Sequence, residues 1–362
     1  MEYKRLGDYI REVNVRNSDL EITNPMGINI DKYFMPSVAN VIGTDLSTYK
    51  LVSKNQFACN LMHVGRDERI PMALHTGDTP IIVSPAYFVF EIIHNEILLP
   101  SYLMIWFRRP EFDRNAWFYT DADVRGGLSK EAFLDMRLPI PSIEEQQKNV
   151  AEYQAVEQRI ENNNRLIKAL EDTAQAIYHH TFVENIDPEN LPEGWRVESI
   201  GKFCDIFTGK KDVNQSLPVG KYRFFSCSPD YYYSNEYIAK GPATLIVGNG
   251  SYTGRVSYYD KEFDLYQRTY ACLTKKGYEE LYAFLHCVLL FQFQPKYMGG
   301  SRGTSIPYIV RGNIEDFPVL YNEEFCQIFS KRIKVVFEYI LLLQNENEKM
   351  NNLQLILLSK LS

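Results

Sequence analysis

Several stretches of this sequence come close to arrangements that do covalent chemistry, and each lacks a necessary part. Asn24-Pro25-Met26-Gly27 approaches the N/D-P-P-aromatic motif with which adenine methyltransferases hold an extruded base, but it has neither the second proline nor the stacking ring. Gly248-Asn249-Gly250-Ser251-Tyr252-Thr253-Gly254-Arg255 has the glycines of a phosphate-binding loop without its lysine, and reads as a tight turn. Pro229-Asp230, Glu236 and Lys240 contain the residue types of a metal-dependent nuclease, yet the lysine falls four positions after the second carboxylate, so the ligands do not converge. No G-x-S-x-G elbow is available for Ser/His/Asp hydrolysis. The six cysteines form no C-x-x-C pair and the six histidines are scattered, so no metal site is expected and the cysteines read as free thiols of a reducing cytoplasm.

Binding chemistry is better represented. Phosphate contact needs Lys, Arg or backbone N–H, and base reading needs Arg, Lys, Asn, Gln and small hydroxyls. Several loops combine these with glycine, which lets backbone approach closely. In the second half they supply Lys210, Lys211, Asn249, Ser251, Tyr252, Arg255, Ser301 and Arg302; in the first half they supply Arg66, Arg69 and Arg125. Each loop alone reads equally well as a solvated turn. Asp67 and Glu68 are placed to neutralise Arg66 and Arg69. Tyr231-Tyr232-Tyr233 offers stacking surfaces but has the pattern of a strand edge.

The elements that must position these loops occur twice. Leu138-Pro139-Ile140-Pro141-Ser142-Ile143-Glu144-Glu145 is matched by Phe317-Pro318-Val319-Leu320-Tyr321-Asn322-Glu323-Glu324. Both leave an apolar-proline step and start a helix, with Ser142 and Glu145 as a capping box and Asn322 as an N-cap. From about 143 to 182 and from about 323 to 361 there is neither proline nor glycine. Each run would make a helix of roughly 60 Å.

Along the first run Tyr153, Val156, Ile160, Asn163, Ile167, Leu170, Ala174 and Ile177 recur at alternating three- and four-residue steps. Along the second, Ile333, Val336, Ile340, Leu343, Asn347, Met350, Gln354 and Leu357 do the same. That is a heptad seam, and it predicts a coiled coil. For an antiparallel pair, placing Asn163 opposite Asn347 also puts Tyr153 opposite Leu357, Ile160 opposite Met350 and Ile177 opposite Ile333. The two buried amides then share one layer.

Between the helices, Asp187-Pro188 to Gly194-Trp195 marks a linker. The remaining stretches are rich in short Val, Ile, Tyr and Phe runs, with single helices expected at 100–109 and 279–293. The expected architecture is α+β: a first mixed α/β domain at 1–141, a long helix at 142–184, linker and second domain at 185–320, and a second long helix at 321–362.

The formal net charge is −7, which argues against a uniformly basic nucleic-acid binder. The window from Arg196 to Arg311, however, has 15 basic against 10 acidic residues, leaving +5. The first ten residues are charged and lack the apolar run of a signal peptide, and no segment reaches membrane-spanning length.

Leu138 to Gln146, Leu191-Pro192-Glu193-Gly194-Trp195 and Gly303-Thr304-Ser305-Ile306-Pro307-Tyr308 resemble the junctions that bound target-recognition domains in the specificity subunits of type I restriction-modification systems. The resemblance runs the length of the chain in the family's order, with the first domain expected to begin near Met1. It implies a non-catalytic subunit whose two target-recognition domains each read half of a split sequence on double-stranded DNA. The two helices would be the spacer between them. It also implies two modification subunits that bind S-adenosylmethionine and restriction subunits that use ATP and Mg, with no cofactor on this chain and a cytoplasmic location. The alternatives are a fragment of a fused restriction-methylation enzyme and a helical adaptor that binds only proteins.

Overall fold

The computed structural model describes residues 3–38, 43–62, 64–120, 126–184, 186–187, 189–298 and 308–361. Contacts divide the chain into two units, residues 1–162 with 346–362, and residues 163–345. The division cuts both long helices rather than falling at their ends, because each half-helix packs on a different domain core.

The first unit has two four-stranded sheets. In one, Ile10–Glu12, Phe88–Ile92, Phe57–Cys59 and Met72–Leu74 lie side by side; in the other, the order is Phe34–Pro36, Pro25–Ile28, Ile81–Val83, Lys50–Val52. The strand pattern explains the layering. Phe88 and Phe90 face a core with Phe57, Phe107 and Phe133, while Val89 and Ala58 face the other sheet with Val52 and Val83. The helix Pro100–Phe107 covers the first sheet, with Phe107 edge-on to Phe57 and Phe90. A second helix, Pro110–Phe118, follows at a place where none was expected; Pro110 at its first turn separates the two.

The second unit repeats this plan strand for strand. Its first sheet is ordered Cys204–Thr208, Thr269–Thr274, Ala243–Val247, Val256–Tyr259, and its second Tyr231–Ser234, Tyr222–Phe225, Glu262–Leu265, Ala239–Lys240. In both units the second sheet contains one parallel pair, Pro25–Ile28 with Ile81–Val83 and Tyr222–Phe225 with Glu262–Leu265. In both, a two-stranded ribbon joins the start of the domain to its end, Tyr3–Arg5 with Arg137–Pro139 and Arg196–Ser199 with Pro318–Tyr321. The internal duplication, faint in the residues, is plain in the topology.

The long helices run Ile143–His179 and Glu323–Ser359. Ser142 accepts the Glu145 amide and Asn322 accepts that of Phe325, as the capping residues predict. Gln146, fully buried, ties the first helix down by donating to the Ile97 and Pro141 carbonyls and accepting from the Leu99 amide.

Within the first unit the helices run antiparallel. Tyr153 lines a small cavity with Leu357 and Leu361, and Arg159 makes a bidentate pair with Glu346. Within the second, Tyr178 packs on Phe329 and Phe182 on Phe325 and Phe329, again antiparallel. Val156, Asn163, Ile333, Ile340, Leu343 and Asn347 are buried, and Ile160, Ile167, Leu170, Val336 and Met350 half-buried.

Ile177 departs from the expected seam. It is 43% exposed, and Tyr178 is buried in its place. From Leu170 onward the stripe steps by four, through Ala174, Tyr178 and Phe182, because this end of the helix packs into the domain core and not only on its partner helix.

The helix Tyr282–Val288 closes the second domain over its sheet. His286, buried on this helix, is hydrogen-bonded through Nδ1 to Thr244 Oγ1 at 3.0 Å and packs edge-on to Phe337. Burial pushes its pKa down to about 3 from 6.5. A lowered folded-state pKa means the full contribution is present above pH 6.5 and is lost as pH falls toward the folded value. Between pH 7 and pH 5 this residue should remove about 2 kcal/mol of stability. Urea midpoints of the wild type should fall over that range, while His286→Asn should show a flatter profile; equal slopes would exclude the effect.

Candidate nucleic-acid interface

In the second domain four connections converge at one end of the sheets. The Gly248 amide donates to the Arg268 carbonyl at 2.9 Å, Cys227 Sγ lies 3.0 Å from Asn249 Oδ1, Arg255 Nη2 donates to the Ser228 carbonyl at 2.7 Å, and the Gln267 amide donates to the Lys211 carbonyl at 3.0 Å. Lys210, Lys211, Asn249, Ser251, Tyr252 and Arg255 are thereby carried on one connected set of loops.

Two glycines make the approach possible. A Cβ on Gly209 would stand 1.7 Å from the Leu265 carbonyl oxygen, and one on Gly248 would stand 2.5 Å from that of Arg268. Ser251 and Tyr252 are exposed at the tip of the turn, and Gly250 and Gly254 on either side have positive φ. Ser301 and Arg302 lie outside the described residues.

The basic residues are not equivalent. Lys210 is exposed. The Lys211 ammonium is held by Asp264 at 2.7 Å, Glu236 at 3.0 Å and Ser234 at 3.1 Å, and Asp264 is only 4% exposed. These partners raise the Lys211 pKa, the Asp264 hydrogen bond most. Lys211 therefore neutralises a buried carboxylate and fixes the loop. Arg255 is half-buried, lies 5.6 Å from the Tyr252 ring centre, and has its pKa lowered by desolvation. It braces the turn against the 226–230 loop. Arg268, which the sequence reading passed over, is exposed beside this turn. No motif marks it, since it lies in an ordinary strand connection whose place is fixed only by the fold.

The first domain places its candidate loop at the same topological position, between the third and fourth strands of its first sheet. Gly65 and Gly126 pack backbone to backbone: the Gly65 amide donates to the Gly126 carbonyl at 2.7 Å, and a Cβ on Gly65 would meet Gly126 Cα at 2.7 Å. Arg66 is exposed but forms a bidentate pair with Asp67 at 2.7 and 3.0 Å, and Arg69 lies 3.8 Å from Asp31. Arg125 lies outside the described residues. Among the described residues no group of three or more His, Cys, Asp or Glu side chains is arranged to hold a metal ion. No described helix is long and apolar enough to cross a membrane.

Residues 192–321 match the type I restriction modification DNA specificity domain, which gives the class of the second domain. The chain is 33% identical over 129 residues to the type I restriction enzyme EcoDI specificity subunit of Escherichia coli, covering 36% of this chain and 28% of that protein. It is 20% identical over 286 residues to the MjaIX specificity subunit of Methanocaldococcus jannaschii, covering 66% of this chain and 64% of that one. It thus spans less than two thirds of the length of either relative. The crystal structure of the type I S subunit from M. genitalium has the same fold, with a TM-score of 0.62 at 13% identity over 99% of this chain and 95% of that one. The second domain thus matches the DNA specificity domain of type I restriction-modification systems, and the chain shares the fold of the M. genitalium S subunit.

The contrast between the two adjacent lysines is testable by melting. Lys211→Ala leaves the Asp264 carboxylate buried without its cation and should cost about 3 kcal/mol or more. Lys210→Ala, at an exposed position, should stay within about 0.5 kcal/mol of wild type. Equal melting temperatures for the two variants would refute the assignment of Lys211 to a structural role.

Proposed function

We propose that this chain reads a bipartite sequence on double-stranded DNA, one half with each domain, without catalysis of its own. The observation that carries this reading is the repetition of one two-sheet plan, with a glycine-bearing, arginine-containing loop at the same topological position each time. Backbone approaching through glycine, together with lysine, arginine and amide groups, is what phosphate and base-edge contact requires. Lys210, Asn249, Ser251, Tyr252, Arg255 and Arg302 would face one half-site and Arg66, Arg69 and Arg125 the other, with Lys211 holding its loop in place.

The partners follow from the family and from the helices. Phe325, Ile328, Val335 and Leu342 stand 45–63% exposed in the second unit, and Leu353, Leu355 and Ile356 are exposed in the first. An exposed apolar stripe of this kind suits a docked protein. We assign it to two modification subunits, which would bring S-adenosylmethionine and methyl transfer. Restriction subunits would bring ATP and Mg chemistry. The whole assembly would be cytoplasmic.

Genome-wide mapping of methylated positions with and without this chain should reveal a split motif that disappears on its deletion. The half-sites are expected about one helical turn (~10 bp) apart, centre to centre. Exchanging residues 1–141 for those of another family member should alter one half only; a single continuous motif would overturn the bipartite reading. In the assembled complex, loss of a phosphate contact in Lys210→Ala should lower affinity for all sequences and reduce the salt slope by about 1. Val335→Asp with Leu342→Asp should abolish co-purification of the modification subunit without lowering the melting temperature, and unchanged co-purification would remove the stripe from the docking surface.

A further inference from the structure

The first domain also has a recess walled by its terminal ribbon and its two consecutive helices. Two adjoining cavities, of about 460 and 310 Å³, share Tyr3, Trp106, Phe112, Asn115 and Arg137 in their walls. The larger adds Tyr119, and the smaller adds Arg109, Arg114 and Glu111. The elements that form them are the ribbon Tyr3–Arg5 with Arg137–Pro139 and the consecutive helices Pro100–Phe107 and Pro110–Phe118.

Two features of the walls call for a ligand. First, Trp106 is 4% exposed and Arg109 6%, and among the described residues neither the indole Nε1 nor the Arg109 Nε has a hydrogen-bond acceptor. Buried donors left unsatisfied are rare and costly. Second, among the described residues that line it, the smaller cavity brings three guanidinium groups to a single carboxylate. Glu111 pairs with Arg114 at 3.0 Å and lies 3.6 Å from Arg109 Nε, so cationic charge remains in excess. The larger cavity adds the exposed rings of Tyr3 and Tyr119 beside the buried Trp106 and Phe112, which pack edge-on against each other, and its carboxylate, Asp135, is already held by Arg5 at 2.7 Å.

We propose that this recess binds a nucleotide, with the aromatic base against the Tyr3 and Tyr119 rings and the phosphate against Arg109, Arg114 and Arg137. A carboxylate or inorganic anion alone would satisfy the guanidinium groups but leave the ring-lined part unused. A neutral ring would leave the cationic excess unmatched. The chemistry is that of a base joined to a phosphate, either free or within a single strand. The proposal does not rest on the duplex reading.

The three tryptophans make the test direct. In the full chain carrying Trp117→Phe and Trp195→Phe, Trp106 is the one remaining indole reporter. Titration with adenosine monophosphate should quench its emission saturably. Adenosine and inorganic phosphate, each alone, should bind at least about tenfold more weakly, and Arg114→Gln or Arg137→Gln should weaken the nucleotide by about tenfold or more. A short deoxyadenosine oligomer run in parallel separates the sources: binding by the monophosphate identifies a free nucleotide, and arginine-dependent quenching by the oligomer alone identifies a strand. Arg114 is largely exposed, so Arg114→Gln should retain the wild-type melting temperature and report on binding rather than folding. Absence of saturable quenching by either probe, quenching indifferent to both arginine changes, or inorganic phosphate binding as tightly as the nucleotide would overturn the proposal.

Discussion

Helices of 37 residues with mixed polarity, such as Ile143–His179 and Glu323–Ser359, gain little from intrinsic propensity and depend on burial of one apolar stripe. The arrangement of each unit depends on that burial. In the second unit Ala174, Tyr178 and Phe182 from one helix and Phe329, Ile333, Phe337 and Ile340 from the other belong to the same core as the sheet residues Ile206, Ile246 and Cys272. In the first, Val150, Tyr153, Leu358 and Leu361 join the core that contains Phe57 and Phe90. Each buried side chain of this size stabilises by about 1.5–3 kcal/mol, far more than the surface ion pairs along the same helices. The two-stranded ribbons sit beside the helix starts, so the stripe also fixes where each domain begins and ends.

Much of this was legible because it is periodic. The three-four alternation, the proline-helix junctions and their recurrence half a chain apart are local signals that need no knowledge of the fold. The error at Ile177 shows where locality fails. A heptad seam presumes a partner helix throughout, whereas at this position the helix meets a domain core, and the stripe shifts by one residue to bury Tyr178. The sheets were less legible still. Each second sheet joins strands far apart in sequence through a parallel pair, and a short apolar run does not announce its neighbour.

Of the candidate loops, Gly248–Arg255 is a turn as read, whereas Gly65–Arg69 overlaps a one-turn helix, Val64–Asp67; neither was legible as chemistry. Glycine with arginine marked Gly65–Arg69 and Gly248–Arg255, but the roles within them depend on contacts across the fold. Lys210 and Lys211 are indistinguishable in sequence; only the position of Asp264, 53 residues on, makes one a structural cation. Asp67 was visible beside Arg66, and the pair forms as its spacing suggested. Nothing in the sequence showed that Gly65 must lie against Gly126, because that contact joins two loops whose separation is set by the helices between them. The buried donors of Trp106 and Arg109 were equally invisible, since an unsatisfied group is defined by what is absent around it.

The distribution of charge completes the physical picture. A chain with a net charge of −7 repels a polyanion at long range, so on the proposed reading contact with DNA must come from local excess. The window Arg196–Arg311 provides it, with 15 basic against 10 acidic residues, although Lys211 is spent on a buried carboxylate. In the first domain Arg66 is held by a carboxylate and Arg69 lies near one, so neither guanidinium is free to add much non-specific attraction. On the proposed reading the two domains therefore divide the work unequally: the second supplies more of the salt-dependent affinity and the first contributes mainly through fit to its half-site. Modest intrinsic affinity also favours specificity, because a weak phosphate term leaves a larger share of the binding energy to the base contacts that distinguish one sequence from another.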